Sequence, residues 1–322
     1  METTRPLLEV RHLSIGVRRG KETFAAVDDI SFFIEEGEIL GLVGESGCGK
    51  SLTCLSIPAL LAPGIERLGG TVLFRGRDLA ALSQKELSRL RGGEISFIFQ
   101  EPAASLNPLH RVGRQIAEVL ELHGLGDKKK RRAEVLDIME RLGLPEPENL
   151  YRAWPHELSG GMCQRVMIAI AAISRPTLLL ADEPATALDT ASQSRILELL
   201  QKINRDFGAA VLFVSHDLGL VSRICRRTLV MYAGKIVETG NTGDVFSRPA
   251  HPYTQSLMEA IPRRDRKGKP LAQIPGRVPP IEEPRRGCPF APRCPAAESR
   301  CAAAFPEPLN LGGGHWVYCV NL

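Results

Sequence analysis

Over residues 7–43 apolar and polar positions alternate in short bursts: LLEVRHLSIGV, then AVDDISFFI, then EILGLVG. Glycine-containing breaks, RRGK and EEGE, separate them, and a period of two between turn signals predicts β-strands. After Gly49 the spacing in LTCLSIPALL becomes helical. TVLFRGRDL reads as a strand and turn, SQKELSRLRG as a short helix, and ISFIFQ as a buried strand ending at Gln100. From 101 to about 170 the helical period dominates, in GRQIAEVLELHGL, KKKRRAEVLDIMERLGL and SGGMCQRVMIAIAAI. TLLLADEP returns to a buried strand, SQSRILELLQKINRDFG to an amphipathic helix and AVLFVSHD to a strand. VSRICRRTLVMYAGKIVETG then closes with a helix and a hairpin. Strands alternating with helices predict an α/β core with a mostly parallel sheet, interrupted by the helical block. Beyond about 245 the periodicity fades and Pro, Arg and Cys accumulate. Residues 246–322 are therefore expected to be an appendage, opened by HPYTQSLMEAIP and a basic linker, RRDRKGK.

Composition bounds the class. The 322 residues suit about two domains, and 43% hydrophobic with 24% charged residues is an ordinary globular balance. A formal net charge of +4 gives no ground for a nucleic-acid partner. No apolar run approaches the roughly 20 residues that cross a bilayer. METTRPLLEVRHL also lacks the apolar core of a secretory signal. The expectation is a cytosolic chain whose eight cysteines do not form structural disulfides. The basic runs KKKRR and RRDRKGK read as solvated faces, or as contacts with anionic headgroups if the chain works beside a membrane.

Candidate chemistry begins at GESGCGKS, between a predicted strand and a predicted helix. Gly44, Gly49, Lys50 and Ser51 meet the spacing G-x-x-x-x-G-K-[ST]. Through Gly44, Glu45, Ser46, Gly47, Cys48 and Gly49 the glycines let successive N–H groups point into one concavity, a nest for phosphate oxygens. The helix entered at Lys50, Ser51 and Leu52 adds the positive end of its dipole. Lys50 reaches for the β- and γ-phosphates and the Ser51 hydroxyl for Mg²⁺. LLLADEP places Asp182 and Glu183 at the carboxyl end of a core strand, where α/β sheets bind ligands. Asp182 suits Mg²⁺, and Glu183 suits a water aimed in line at the γ-phosphate. LSGG supplies a second phosphate-suited helix start, at Ser159, Gly160 and Gly161. Two such grips are odd if both hold the same ATP.

GESGCGKS, FQEP, LSGGM, LLLADEP, ALD and SHD, in that order over about residues 7–245, resemble the nucleotide-binding subunits of ABC transporters. The resemblance implies a P-loop NTPase (RecA-like) fold for residues 1–245. Its parts are an N-terminal antiparallel β-subdomain, a mostly parallel core and an inserted helical subdomain at about 101–170. A Cys-rich C-terminal extension would follow over 246–322. It also resolves the two grips: paired subunits sandwich ATP between the phosphate loop of one and the LSGG of the other. Gln100 would contact Mg²⁺ or the attacking water and report to the membrane subunits. Asp189 would lie in the loop that crosses the dimer interface, and His216 would contact the γ-phosphate and help position Glu183. Two departures stand out. Met162 occupies a position that is often Gln, and Phe24 is the only nearby ring for stacking on adenine, a packed core Phe being the competing reading.

FQEPAASLNP, LSGGMCQRVMIA, DEPATALD and HPYTQSLMEAIP together look like ATPases of oligopeptide and dipeptide importers, a group with relatives serving nickel and glutathione. That resemblance implies a second, non-identical ATPase subunit, two transmembrane permeases and an extracytoplasmic solute-binding protein. The chain would then be peripheral on the cytoplasmic face of the membrane. Cys288, Cys294, Cys301 and Cys319 follow the order C-x5-C-x6-C-x17-C, which in a cytosolic protein suggests metal rather than disulfides. Zinc usually shows closer pairs, although His315 offers a substitute ligand. The resembled subfamily implies a [4Fe–4S] cluster, and unliganded thiols are the third reading. Cys48, Cys54, Cys163 and Cys225 share no spacing and read as small buried residues. A soluble ABC ATPase acting on DNA or ribosomes, or a regulatory subunit that binds ATP without hydrolysing it, are the competing functions. This chain lacks a second cassette or a long coiled-coil insertion, and it keeps Glu183 and His216.

Overall fold

In the computed structural model, which describes residues 5–186, 188–261, 273–283 and 286–322, the predicted strand bursts become β1 (Leu8–Arg19) and β2 (Glu22–Ile34). The basic linker RRDRKGK lies outside the described residues. The chain divides into two units. One comprises Met1–Ile34, Ile39–Ala80 and Val214–Leu322; the other comprises Glu35–Glu38 and Ala81–Phe213.

The first unit starts with the β1–β2 hairpin, which buries Leu8, Val10, Leu13 and Ile15 on one strand and Val27, Ile30 and Ile34 on the other. β3 (Ile39–Val43) is buried along its whole length and feeds α1 (Lys50–Ser56). This helix stops short of the predicted LTCLSIPALL because Pro58 has no N–H to continue the ladder. β4 (Ile65–Phe74) and β5 (Arg77–Asp78) complete an antiparallel sheet in the order β2-β1-β4-β5. β4 begins earlier than TVLF. Its ERLGG stretch pairs with β1 through a register shift between Arg11 and Ser14. Gly70 at that shift has φ +86°, and a Cβ there would lie 2.4 Å from the His12 carbonyl oxygen.

The second unit contains α2 (Gln84–Leu90), capped by Ser83 and Glu86, and then β6 (Ile95–Ile98). Five helices follow: α3 (Pro102–Ser105), α4 (Val112–Leu122), α5 (Lys128–Arg141), α6 (Pro147–Arg152) and α7 (Gly160–Ala172). α7 is the hub of the block; it packs on α3, α4 and α5 and buries Val166, Met167, Ile168 and Ala169. The KKKRR lysines lie exposed in the first turn of α5. β7 (Leu178–Asp182) runs parallel to β6. α8 (Thr190–Phe207) buries Ile196, Leu197, Leu200 and Ile203 at helical spacing and ends on Gly208. In β8 (Ala210–Ser215) the chain passes back to the first unit, and the strands of the second stand in the order β8-β7-β6.

The first unit resumes with α9 (Leu218–Ile224), β9 (Arg227–Tyr232), β10 (Lys235–Asn241), α10 (Thr242–Ser247) and α11 (Pro252–Ala260). It ends with the short strands β11 (Leu309–Asn310) and β12 (Trp316–Val317). Its second sheet section runs β11-β12-β10-β9-β3, parallel between β3 and β9 and antiparallel elsewhere. No helix among the described residues is long and apolar enough to cross a membrane.

Candidate functional site

In the first unit, the loop after β3 is closed tightly on itself. A Cβ on Gly44 would stand 2.1 Å from the Met231 carbonyl oxygen, and one on Gly49, where φ is +106°, would stand 2.9 Å from Met231 Cε. These two positions need glycine for space and for backbone conformation. Lys50 is buried, and its Nζ donates to the carbonyls of Gly44 at 2.9 Å and Glu45 at 3.0 Å. Ser51 and Leu52 follow it in the first turn of α1. Cys48 is wholly buried, and burial pushes its thiol up. That agrees with the reading of Cys48 as a small core residue rather than a nucleophile.

In the second unit, Asp182 is the buried last residue of β7, and Glu183 follows it with φ +48°. Left-handed backbone at a side chain of this kind costs about 1–3 kcal/mol and collects at functional sites. The Glu183 carboxylate accepts from Thr186 Oγ1 at 2.8 Å and from Gln100 Nε2 at 3.3 Å. Glu183 and Gln100, far apart in sequence, thus meet as hydrogen-bonded partners. Thr186 was not foreseen; its position in EPAT gives no local signal.

Ser159 caps α7 by accepting from the Met162 N–H at 3.4 Å. Nothing lies within 4 Å of a Cβ on Gly160 or Gly161, so this helix start is open. Asp189 caps α8, accepting from the N–H groups of Ala191 and Ser192 at 3.0 Å and from the Ser192 hydroxyl at 2.6 Å. The hydroxyl bond, with the backbone bonds behind it, holds this carboxyl below its usual range. His216 is exposed just past the end of β8, between Ser215 and the α9 cap Asp217. Phe24, on β2, lines a cavity of about 290 Å³ together with Asp28, Lys235 and Glu282.

The four tail cysteines border a single cavity. Cys288, Cys294, Cys301 and Cys319 line one cavity with His251, Phe290, Pro306 and Val320. N–H groups approach the sulfurs. Glu298 N lies 3.4 Å from Cys301 Sγ, Asn321 N lies 3.4 Å from Cys319 Sγ, and His251 Nε2 lies 4.0 Å from Cys288 Sγ. His251 Nδ1 accepts from the Tyr253 N–H at 3.0 Å, which leaves the ring proton on Nε2. Burial lowers the His251 pKa to about 4 and keeps the ring neutral. His315, the substitute ligand considered from the sequence, is engaged elsewhere; its Nε2 lies 2.7 Å from the buried Glu238 carboxylate. Among the described residues no three His, Cys, Asp or Glu side chains are gathered to hold a single metal ion. Cys54, Cys163 and Cys225 are buried, as expected.

The tail also reaches the phosphate loop. The Glu45 N–H donates to the Tyr253 hydroxyl at 2.8 Å, and Arg293 Nη1 donates to the Glu45 carboxylate at 2.9 Å. Neither contact was legible beforehand: Tyr253 sits in the quoted HPY string, but Arg293 carries no signature at all.

Residues 27–186 match the profile of the ABC transporter family, and residues 237–301 match the oligopeptide/dipeptide transporter, C-terminal region. The chain is 45% identical over 300 residues to the oligopeptide transport ATP-binding protein of Escherichia coli, spanning 93% of this chain and 89% of that one. With the dipeptide transport ATP-binding protein of Bacillus subtilis it shares 43% identity over 314 residues, 97% of this chain and 94% of the other. Among solved structures, an ATP-binding cassette in a dimeric post-hydrolysis state bound to ADP and Pi matches with a TM-score of 0.66. It is 28% identical and covers 73% of this chain and 98% of its own.

Proposed function

This chain belongs to the ABC transporter family as an ATP-binding subunit, and from that premise we propose that it hydrolyses ATP to drive import of peptides through a membrane complex. The observation that carries the catalytic part is Glu183, held on left-handed backbone with its carboxylate bonded to Gln100 and Thr186. A carboxylate so oriented acts as the group that aligns and polarises the attacking water. In this reading Lys50 and the N–H groups of residues 44–52 bind the phosphates. Ser51, Asp182 and Gln100 hold Mg²⁺, which neutralises charge on the phosphates when bound. His216 steadies Glu183 and the γ-phosphate. Catalysis is then mostly positioning and electrostatics, as phosphoryl transfer requires.

The open Ser159–Gly161 helix start supports a role toward the ATP of a second, non-identical subunit, with Asp189 at the shared interface. The remaining partners are two transmembrane permeases, supplied by an extracytoplasmic solute-binding protein, and the chain works at the cytoplasmic face of the membrane. We assign residues 1–245 to the nucleotide-binding domain, with its helical part at about 101–170, and 246–322 to the extension. Glu183→Gln is expected to bind Mg–ATP with near-normal affinity while turnover falls at least about a hundredfold. Unchanged turnover would remove Glu183 from its role.

For the tail we propose a [4Fe–4S] cluster on Cys288, Cys294, Cys301 and Cys319. The fit rests on thiols that share one largely apolar cavity and on N–H groups near their sulfurs, the usual surroundings of cluster ligands. The full chain purified without oxygen should contain about four irons and absorb near 400 nm. Stoichiometric zinc in a colourless protein sinks the cluster.

A further inference from the structure

Glu45 is held at each of its polar groups. Its N–H donates to the Tyr253 hydroxyl, its carbonyl accepts from Lys50 Nζ, and its carboxylate accepts from Arg293 Nη1. Arg293 is itself fixed by the bonds around it. Nε donates to the Pro275 carbonyl at 2.8 Å, Nη2 to the Ile274 carbonyl at 3.2 Å, and Nη1 also to the Tyr232 hydroxyl at 3.1 Å. Its side chain is 7% exposed, against 25% for Glu45. Tyr232 packs on Tyr253 and Phe290, with ring centroids 4.6 and 5.2 Å away, so the two tail residues that touch Glu45 meet at one aromatic cluster, Arg293 through the Tyr232 hydroxyl. A planar guanidinium bonded on several sides fixes a carboxylate far better than a lysine point charge does.

This arrangement bears on an anion site in two ways. Glu45 brings a negative charge into a loop built for phosphate, and Arg293 neutralises it. The Glu45 carbonyl is also one of the two that place the Lys50 ammonium, so an anchor on Glu45 is passed on to Lys50. We propose that Arg293, together with Tyr253, is a positioning residue for nucleotide binding that acts on the phosphate loop through Glu45. The idea rests on the reading of residues 44–52 as the ATP grip.

The test is titration of the full chain with Mg–ATP. Arg293→Ala is expected to weaken binding about tenfold. The loss should shrink below about threefold in the Glu45→Gln background, where no carboxylate remains to be neutralised. Arg293→Lys keeps the charge without the fork and should recover only part of the affinity. Tyr253→Phe keeps the ring and removes one hydroxyl, and should weaken binding about threefold. A merely structural Arg293 would lower the melting temperature and lose the same affinity in both backgrounds. That outcome, or full affinity in Arg293→Ala, overturns the proposal. If Arg293→Ala does not fold, Arg293→Lys in the two backgrounds and Tyr253→Phe decide it, and wild-type affinity in both overturns it. Lys50→Ala guards the premise. Normal ATP binding by that variant would defeat the ATP grip itself, whereas its failure beside unaffected Arg293 and Tyr253 variants defeats only the positioning role.

Discussion

The phosphate loop and the LSGG turn both lead a glycine stretch into a helix, yet they are finished to different degrees. At Gly44 and Gly49 a single added carbon collides with Met231, and Lys50 is buried against the loop's own carbonyls. At Gly160 and Gly161 an added carbon meets nothing. Glycine at positions 44 and 49 of the first loop is demanded by the packing of this chain. In the second it is not, and the helix start keeps room beside it. In the reading proposed above, the first grip is shaped by its own chain and the second is left for a partner.

Two substitutions can break that contrast. The larger effect belongs to Lys50→Ala, which should weaken nucleotide binding by about a hundredfold or more, because a buried ammonium is removed from the phosphate grip. Calorimetry on the single chain reads this directly, and near-normal affinity would mean that the loop is not the grip. Gly160→Asp should have the smaller and more selective effect. The fold has room for the side chain, so ATP binding by the single chain stays within about twofold, while ATP hydrolysis by the assembled transporter falls about tenfold or more as a carboxylate meets a partner's phosphates. Unchanged hydrolysis would erase the distinction between the two helix starts.

The same contrast explains what could be read from the sequence. The phosphate loop, the Asp182–Glu183 strand end and the Ser159 cap depend on spacings of a few residues, and such spacings are visible in a string. The strands β1 and β2 and the helix α8 were equally plain, because apolar residues recur in them at the period of a strand or of a helix. The start of β4 was not, since ERLGG looks like a loop until its glycine is seen to sit in a bulge opposite His12. Glu45 with Arg293, and Glu238 with His315, join residues far apart along the chain through side-chain contacts. Nothing local announces such pairs. His315 shows how this misleads: near four cysteines it suggests a ligand, and in the fold it answers a carboxylate.

The β10–β12 pairing carries a consequence for solubility. Trp316 and Val317 lie against Thr239 and Glu238 of β10, and Leu309 and Asn310 lie outside them in turn. Without these strands, β10 would present unpaired N–H and C=O groups at the margin of a sheet, a template on which another chain could add a strand. The margin is instead handed to a two-residue strand too brief to nucleate such stacking. By covering β10 the tail removes an open sheet edge, and its loss is expected to be felt as precipitation even where the phosphate loop is untouched.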